Sequence, residues 1–485
     1  MAPGPNDIRY VCLSDMHLGA ELSLLSDLKI DPVTDKLQVD PQNVSPVLQG
    51  LVDCLRDLIS QNEKQIQQPT LILLGDIPEL ALANDNTAEM VFERFLEKAI
   101  ELFAKEIIYI PGNHDHHLWE SARETQYVLN YLAKTNPKDP LEIPWHTTKI
   151  FMELEEKSNQ IPSFLLNTLL HRYDHLKDFT INTAYPNFGL IKDKRCIVFH
   201  HGHFVESIYL LMTTLKNLIF PAQQALTRTV DDLEAENFAW IDFFWSTLGR
   251  SGEFGKDVEI IYDKMLNEAQ FRKLVENLAT GLAAQYGKSG WLEDTIIKEI
   301  IDGLVHKLVY PERSQIDQYL SQDTEHGLQD YLNRPLQIQI VHECTNRNLY
   351  FPREVTFIFG HTHKPFEKVY DFGAYLGDGV PVYNTGGWVV ETLDPAAKHG
   401  GAVVLLNENL DVVSLRMYNE ANGPADGPVK VEVHEQPLPG QPNSDFFNHL
   451  NGLVQADQPP WDKFAQTVPD ELRLRRKILQ DKMNS

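Results

Sequence analysis

The sequence predicts an α/β fold of layered sheets and helices, with parallel strand pairing and a large helical insertion. Three observations predict it. Short apolar runs alternate with amphipathic helical stretches through the first 110 residues. Each of those runs stops abruptly at a polar turn. Strand signals vanish between about Phe204 and Tyr350, where long helical patterns take over, and return beyond it.

The elements follow in order. Ile8 to Leu13, in "IRYVCLSD", reads as a buried strand. A periodic stretch near Val44 to Ile66 reads as a helix with Leu48, Leu51, Val52, Leu55 and Leu58 on one face. Thr70 to Leu74, in "TLILLGD", is the next strand. "TAEMVFERFLEKAIELFAK" is an amphipathic helix with Thr87 as its N-cap, and "EIIYIPGN" is the third strand. Later strands are "RCIVFHHG", "EVTFIFGH", "VPVYNTGG" and "GAVVLLN". The stretch from Asn419 to Asn443, rich in Pro, Gly and acidic residues, reads as a linker, and Asp470 to Met483 as a short helical tail. The division expected is a core in two parts, 1–203 and 351–418, a helical cap at 204–350, and a linker with a C-terminal tail at 419–485.

Charge narrows the functions. With 69 acidic and 43 basic residues the net charge is −26, which repels polyanions and lacks the basic footprint of a nucleic-acid binder. "MAPGPNDIRY" has neither the basic nor the apolar region of a secretory signal, and no apolar run reaches the roughly 18 residues of a membrane span. Cys12, Cys54, Cys196 and Cys344 are far apart and read as buried hydrophobes, which suits a cytoplasmic setting.

The chemistry lies at the strand ends. Asp15 and His17 follow the first strand, Asp76 the second, and Asn113, His114 and Asp115 the third. "FHHGH" supplies His200, His201 and His203, and "FGHTHKP" supplies His361 and His363. Strand C-termini are where loops of α/β sheets converge on ligands. A glycine recurs in these turns, at Gly75, Gly112, Gly202 and Gly360. Carboxylate, imidazole and amide oxygen together suit Mn, Fe or Zn. So many ligands exceed the needs of one four-coordinate ion. Two ions about 3.5–4 Å apart, sharing a carboxylate, use them better.

These blocks, Asp-x-His, Gly-Asp, Gly-Asn-His-Asp, His and Gly-His-x-His in that order, resemble the calcineurin-like dinuclear metallophosphoesterases. The resemblance spans Asp15 to His363 and implies a layered metallophosphoesterase sandwich, two sheets flanked by helices. By position, Asp15, His17 and His363 resemble the ligands of one ion, and Asn113, His201 and His361 those of the other, with Asp76 bridging. The resemblance further implies attack on phosphorus by a hydroxide bridging the two ions. His114 would assist the leaving group, Asp115 would orient His114, and Glu79 and "NTGGWV" (Asn384 to Val389) would support the site. "SDMHLG" and "GHTHKP" look similar to the branch that cleaves the pyrophosphate of UDP-diacylglucosamine, which often has Arg at the place of His114 and Asp at that of His203. The expectation is therefore hydrolysis of a phosphate ester or pyrophosphate in a small or lipid-linked substrate. A nuclease and a non-catalytic scaffold are the alternatives.

Other signals weigh less. "GLAAQYGKSG" from Gly281 has the wrong glycine spacing for a phosphate loop. His116, His117 and Lys364 read as exposed. Val205, Ile208, Tyr209, Met212, Leu215 and Ile219 share a helical face that reads first as core of the cap. The sharper reading is an acyl groove or membrane-surface helix, with Phe238, Trp240, Phe243, Phe244 and Trp245 lining it. Arg473, Arg475, Arg476 and Lys477 read as a solvated helix face, with a peripheral membrane contact as the alternative.

Overall fold

A computed structural model describes residues 4–33, 35–63, 68–83, 85–151, 161–219, 229–247, 317–371, 379–421 and 427–484. The strands, in chain order, are β1 (Ile8–Leu13), β2 (Ser26–Ile30), β3 (Leu37–Val44), β4 (Thr70–Leu73), β5 (Glu106–Tyr109), β6 (Thr180–Thr183), β7 (Asn187–Lys192) and β8 (Arg195–His200). Beyond the cap come β9 (Glu354–Phe359), β10 (Phe366–Tyr370), β11 (Val380–Asn384), β12 (Gly400–Asn407), β13 (Val412–Asn419) and β14 (Glu432–His434). They form a seven-stranded sheet in the order β14-β13-β12-β1-β4-β5-β6 and a five-stranded sheet in the order β10-β11-β9-β8-β7, with β2-β3 a separate hairpin. β1, β4, β5 and β6 run parallel, as do β8, β9 and β11.

The apolar runs are nearly unbroken because the central strands β1, β4, β5, β8 and β12 are buried on both faces. Along β1, Val11 and Leu13 face the core shared with helices, while Cys12 faces the second sheet. β8 repeats the alternation: Ile197 and Phe199 meet Cys12, Ile72 and Ile108 between the sheets, and Cys196 and Val198 face outward beneath the cap helices. The result is a helix–sheet–sheet–helix stack. All four cysteines are buried and unpaired.

Helix α1 (Pro46–Ser60) buries the expected face, Leu48, Leu51, Val52, Leu55 and Leu58, but starts and stops inside the expected span. Ser45 caps it by accepting from Leu48 N, and β3 occupies the residues before. Helix α2 (Asp85–Ala99) begins before Thr87, which lies within it. α3 (His117–Gln126) and α4 (Phe164–Leu170) complete the first half.

Two expectations at the C-terminus are corrected. The stretch read as a linker contains β14, which pairs with β13 and widens the large sheet. The tail is a 24-residue helix, Trp461–Asn484, whose Trp461, Phe464, Val468 and Leu472 join the main core beside α1. Arg475, read as solvated, is buried: its guanidinium donates to Ser23 O at 3.1 Å, Ser26 O at 2.5 Å and Glu471 at 2.5 Å. One apolar sequence pattern cannot distinguish an amphipathic tail from one that closes a core.

The described part of the cap is helical: α5 (Leu211–Ile219), α6 (Val230–Trp240), a π-turn segment over Ile241–Thr247, and helices Gln322–Tyr331 and Gln337–Asn346. Val205, Ile208, Tyr209 and Trp245 are core, whereas Met212 and Phe243 are exposed. The side chains of Leu215, Ile219 and Phe244, and the Gly281 stretch, lie outside the described residues. Among the described residues no helix is long and apolar enough to cross a membrane.

Candidate metal centre

The C-terminal tips of β1, β4, β5, β8 and β9 converge. Asp15 N donates to Gly75 O at 3.0 Å and His17 N to Asp76 O at 2.9 Å, so the first two loops are stitched together by backbone. His361 N donates to Asp15 Oδ2 at 2.9 Å, and His114 N to Asp76 Oδ1 at 2.9 Å. Asp15, His17, Asp76, Asn113, His201, His361 and His363 are all buried. Five of them, Asp15, His17, Asp76, His361 and His363, have φ between 45° and 70°. Such left-handed backbone costs a non-glycine residue about 1–2 kcal/mol. That it recurs at these positions marks a site whose geometry outweighs local comfort. Gly75 has φ 81°, and a Cβ there would collide with the ring of His201 and with Gly112 N.

Two donor groups face one another across Asp76. His363 Nε2 lies 3.3 Å from Asp15 Oδ1 and 3.2 Å from His17 Nε2. His201 Nε2 lies 3.0 Å from Asn113 Oδ1 and 3.2 Å from His361 Nδ1. Asp76 Oδ2 is 3.8 Å from His17 Nε2 and 3.4 Å from His201 Nε2, between the groups. Donor atoms of Asp15, His17 and His363, of His17, Asp76 and His114, and of Asp76, His201 and His361 come close enough together to share an ion.

The outer nitrogens show which way the rings are turned. His17 Nδ1 is 2.6 Å from Glu79 Oε2, His363 Nδ1 3.0 Å from Glu391 Oε1, His201 Nδ1 3.0 Å from Leu74 O, and His361 Nε2 3.1 Å from Glu206 Oε1. A nitrogen that gives its proton to an outer oxygen leaves the inner nitrogen with a lone pair aimed at the centre. In each pair the inner nitrogens lie 3.2 Å apart, and with the protons on the outer nitrogens both would offer a lone pair to one cation, so the residues present fit divalent ions. Asp76 is held well below the usual carboxylate range; burial alone would raise it, but the charges of His201 and His114 outweigh burial. His201 is pushed up to about 9: burial opposes this, and Asp76 overcomes it.

His114 reaches the same centre, with Nδ1 2.9 Å from Glu79 Oε1. Glu79 therefore steadies two imidazoles at once. Asp115 follows His114 in the chain and is buried. Its carboxylate accepts from the Tyr109 hydroxyl, Gly112 N at 2.5 Å and Ile77 N at 3.1 Å, buckling the turn that carries Asn113 and His114. Burial and the Asp76 charge push Asp115 up to about 7. His200 stays outside the donor groups, among aromatic rings, and His203 pairs with Tyr185 Oη at 3.0 Å.

Three residues read as exposed are not. Lys364 is buried, and His117 is half-buried. His116 is buried between Glu234 Oε1 at 2.9 Å and Asp242 Oδ1 at 3.4 Å, both from the cap. Burial would lower its pKa, but the Glu234 charge lifts it to about 9. The sequence signal missed was the acidic pair on cap helices, which has no local pattern tying it to the "NHDHH" turn. His117, Glu120 and Asp242 also approach one another, with His117 Nδ1 3.6 Å from Glu120 Oε2, but half-exposed and at i,i+3 spacing on α3 they read as a surface pair.

A buried cluster of imidazoles and carboxylates stands at the strand ends of an α/β sandwich, positioned to bind metal. Residues 8–220 match the calcineurin-like phosphoesterase family, which makes the chain a hydrolase of phosphoric ester bonds. The match takes in Asp15, His17, Asp76, Asn113, His114 and His201; the fold brings His361 and His363 to them from beyond it. Among solved structures, phosphopantetheinyl hydrolase (PptH) from Mycobacterium tuberculosis is similar at 13% identity, over 79% of this chain and 91% of that one, with a TM-score of 0.25. No curated protein matches the chain.

Proposed function

We propose that the centre holds two divalent ions and hydrolyses a phosphate ester or pyrophosphate of a small substrate. Asp15, His17 and His363 would hold one ion, Asn113, His201 and His361 the other, and Asp76 would serve both. When bound, the ions supply Lewis-acid polarisation of the phosphoryl oxygens and acidify water. Glu79 stabilises the imidazolium of His114, whose Nε2 proton is then available to the leaving oxygen. Asp115 keeps the His114 turn in place through Gly112 and Ile77. The described part of the cap covers the second donor group, with the Tyr209 ring edge-on to His361. The observation that carries the reading is that each of the four imidazoles has an outer oxygen within 3.1 Å, a hydrogen bond for His17 and His201 and an ion-pair contact for His361 and His363. Burial of the whole donor set and the −26 charge favour a small substrate over a nucleic acid.

The test is hydrolysis of nitrophenyl phosphate mono- and diesters and of a pyrophosphate ester by protein loaded with Mn, Fe or Zn. Turnover should fall to background in Asp76→Asn with the thermal transition retained. A wild type inert toward all three ester types under every metal defeats the proposal.

A further inference from the structure

Three of the four inward-facing imidazoles have their outer partner in the core: His17 and His201 hydrogen-bond to Glu79 and the Leu74 carbonyl, and His363 has Glu391 at ion-pair distance. The fourth is different. His361 Nε2 lies 3.1 Å from Glu206 Oε1, and Glu206 belongs to the start of the cap. It stands in extended backbone between two short turns, His203–Val205 and Ser207–Leu210. Its N–H donates to His203 O at 3.1 Å, and its carbonyl accepts from Tyr209 N at 3.2 Å.

The same turns bring the Tyr209 ring edge-on to His361 at 5.1 Å between centroids, with Trp245 packed on Tyr209 at 5.0 Å. The first turn is pinned from above. Helix Gln322–Tyr331 meets Val205 at Gly327, where a Cβ would collide with the Val205 carbonyl. Glu206 is buried, so its charge acts on His361 with little screening by water.

Resting on the two-ion reading above, we infer that Glu206 is a positioning residue of the metal centre. Its carboxylate stands 3.1 Å from Nε2 as an ion-pair contact and not as an aligned hydrogen bond, and its charge favours the proton on that nitrogen, which leaves the Nδ1 lone pair beside His201 and Asp76. The cap then completes the outer support of the second ion's ligands as well as covering them. Anchors of this kind change metal affinity by about 10–100-fold when removed.

The experiment compares the full-length wild type with Glu206→Met and Glu206→Gln. Zinc stoichiometry and affinity are read by competition with a chromophoric chelator. The tautomer of His361 is read from its ring nitrogens in ¹⁵N-histidine spectra. We expect two zinc sites in the wild type, one of them weakened by about 10–100-fold in Glu206→Met, with Gln recovering only part of the loss because it keeps the shape and not the charge. We also expect His361 to be Nε2-protonated in the wild type and to lose that preference in Met. Should Met fail to fold, Glu206→Asp, which withdraws the carboxylate by one methylene, is read in the same way. Two wild-type sites that persist undiminished in the variant, with an unchanged His361 tautomer, overturn the inference about Glu206 alone. A wild type that takes up no zinc, Mn or Fe overturns the two-ion reading and the inference with it.

Discussion

Glu234→Gln tests the buried contact between the cap and the "NHDHH" turn. His116 sits between Glu234 and Asp242, and Glu234 also accepts from the Tyr185 hydroxyl at 3.0 Å, which in turn meets His203. The ordinary histidine pKa of 6.5 is raised to about 9; burial works against the rise and the Glu234 charge prevails. A rise of that size corresponds to about 3 kcal/mol of folding free energy. Because the folded-state pKa lies above the unfolded one, this stabilisation is complete below about pH 6.5 and is lost as pH rises through about 9. The assay is urea denaturation from pH 6 to pH 9.5. The wild type should lose stability on the order of 3 kcal/mol across that window beyond its general trend. Glu234→Gln should start lower at pH 6 and show a flatter profile. Parallel profiles for the two proteins would refute the assignment of His116 as a cation held by the cap.

Two further outcomes follow from other parts of the fold. His114→Ala should slow hydrolysis of an alkyl phosphate ester by about 10²–10⁴-fold and that of a nitrophenyl ester much less, because a good leaving group needs no proton; equal losses on both would remove His114 from the acid role. Arg475→Met should lower stability by about 2–5 kcal/mol, since it strips the Ser23 and Ser26 carbonyls of a buried donor, and calorimetry showing less than about 1 kcal/mol would mean those carbonyls find other partners.

Much of the site is legible in the chain because its ligands sit directly after apolar runs. Asp15, Asp76 and Asn113 need only the rule that parallel strands deliver their tips to one edge of the sheet. What escaped was set by contacts between distant segments. Asp115 stands next to His114 in sequence, yet its carboxylate turns back to Tyr109 and Gly112, and the oxygen that reaches His114 comes from Glu79, 35 residues away. His116 looks like a surface residue until Glu234, 118 residues on, is seen beside it. Arg475 and the segment holding β14 were misread for the same reason: polar composition suggests solvent, but a buried guanidinium can be satisfied by backbone carbonyls, and a three-residue strand has too few residues to show a period.

The placement of β12 next to β1 shapes how the protein is made. As the nascent chain leaves the ribosome, β1 can take β4 as its neighbour early, but its other edge is reserved for Gly400–Asn407, running antiparallel with Cys12 opposite Val404. Synthesis at ~5–20 residues per second leaves that edge uncovered for tens of seconds, while the whole cap is being translated. Products cut short before β12 would carry a bare apolar strand edge, a ready template for aggregation, and the cell would have to shelter or destroy them.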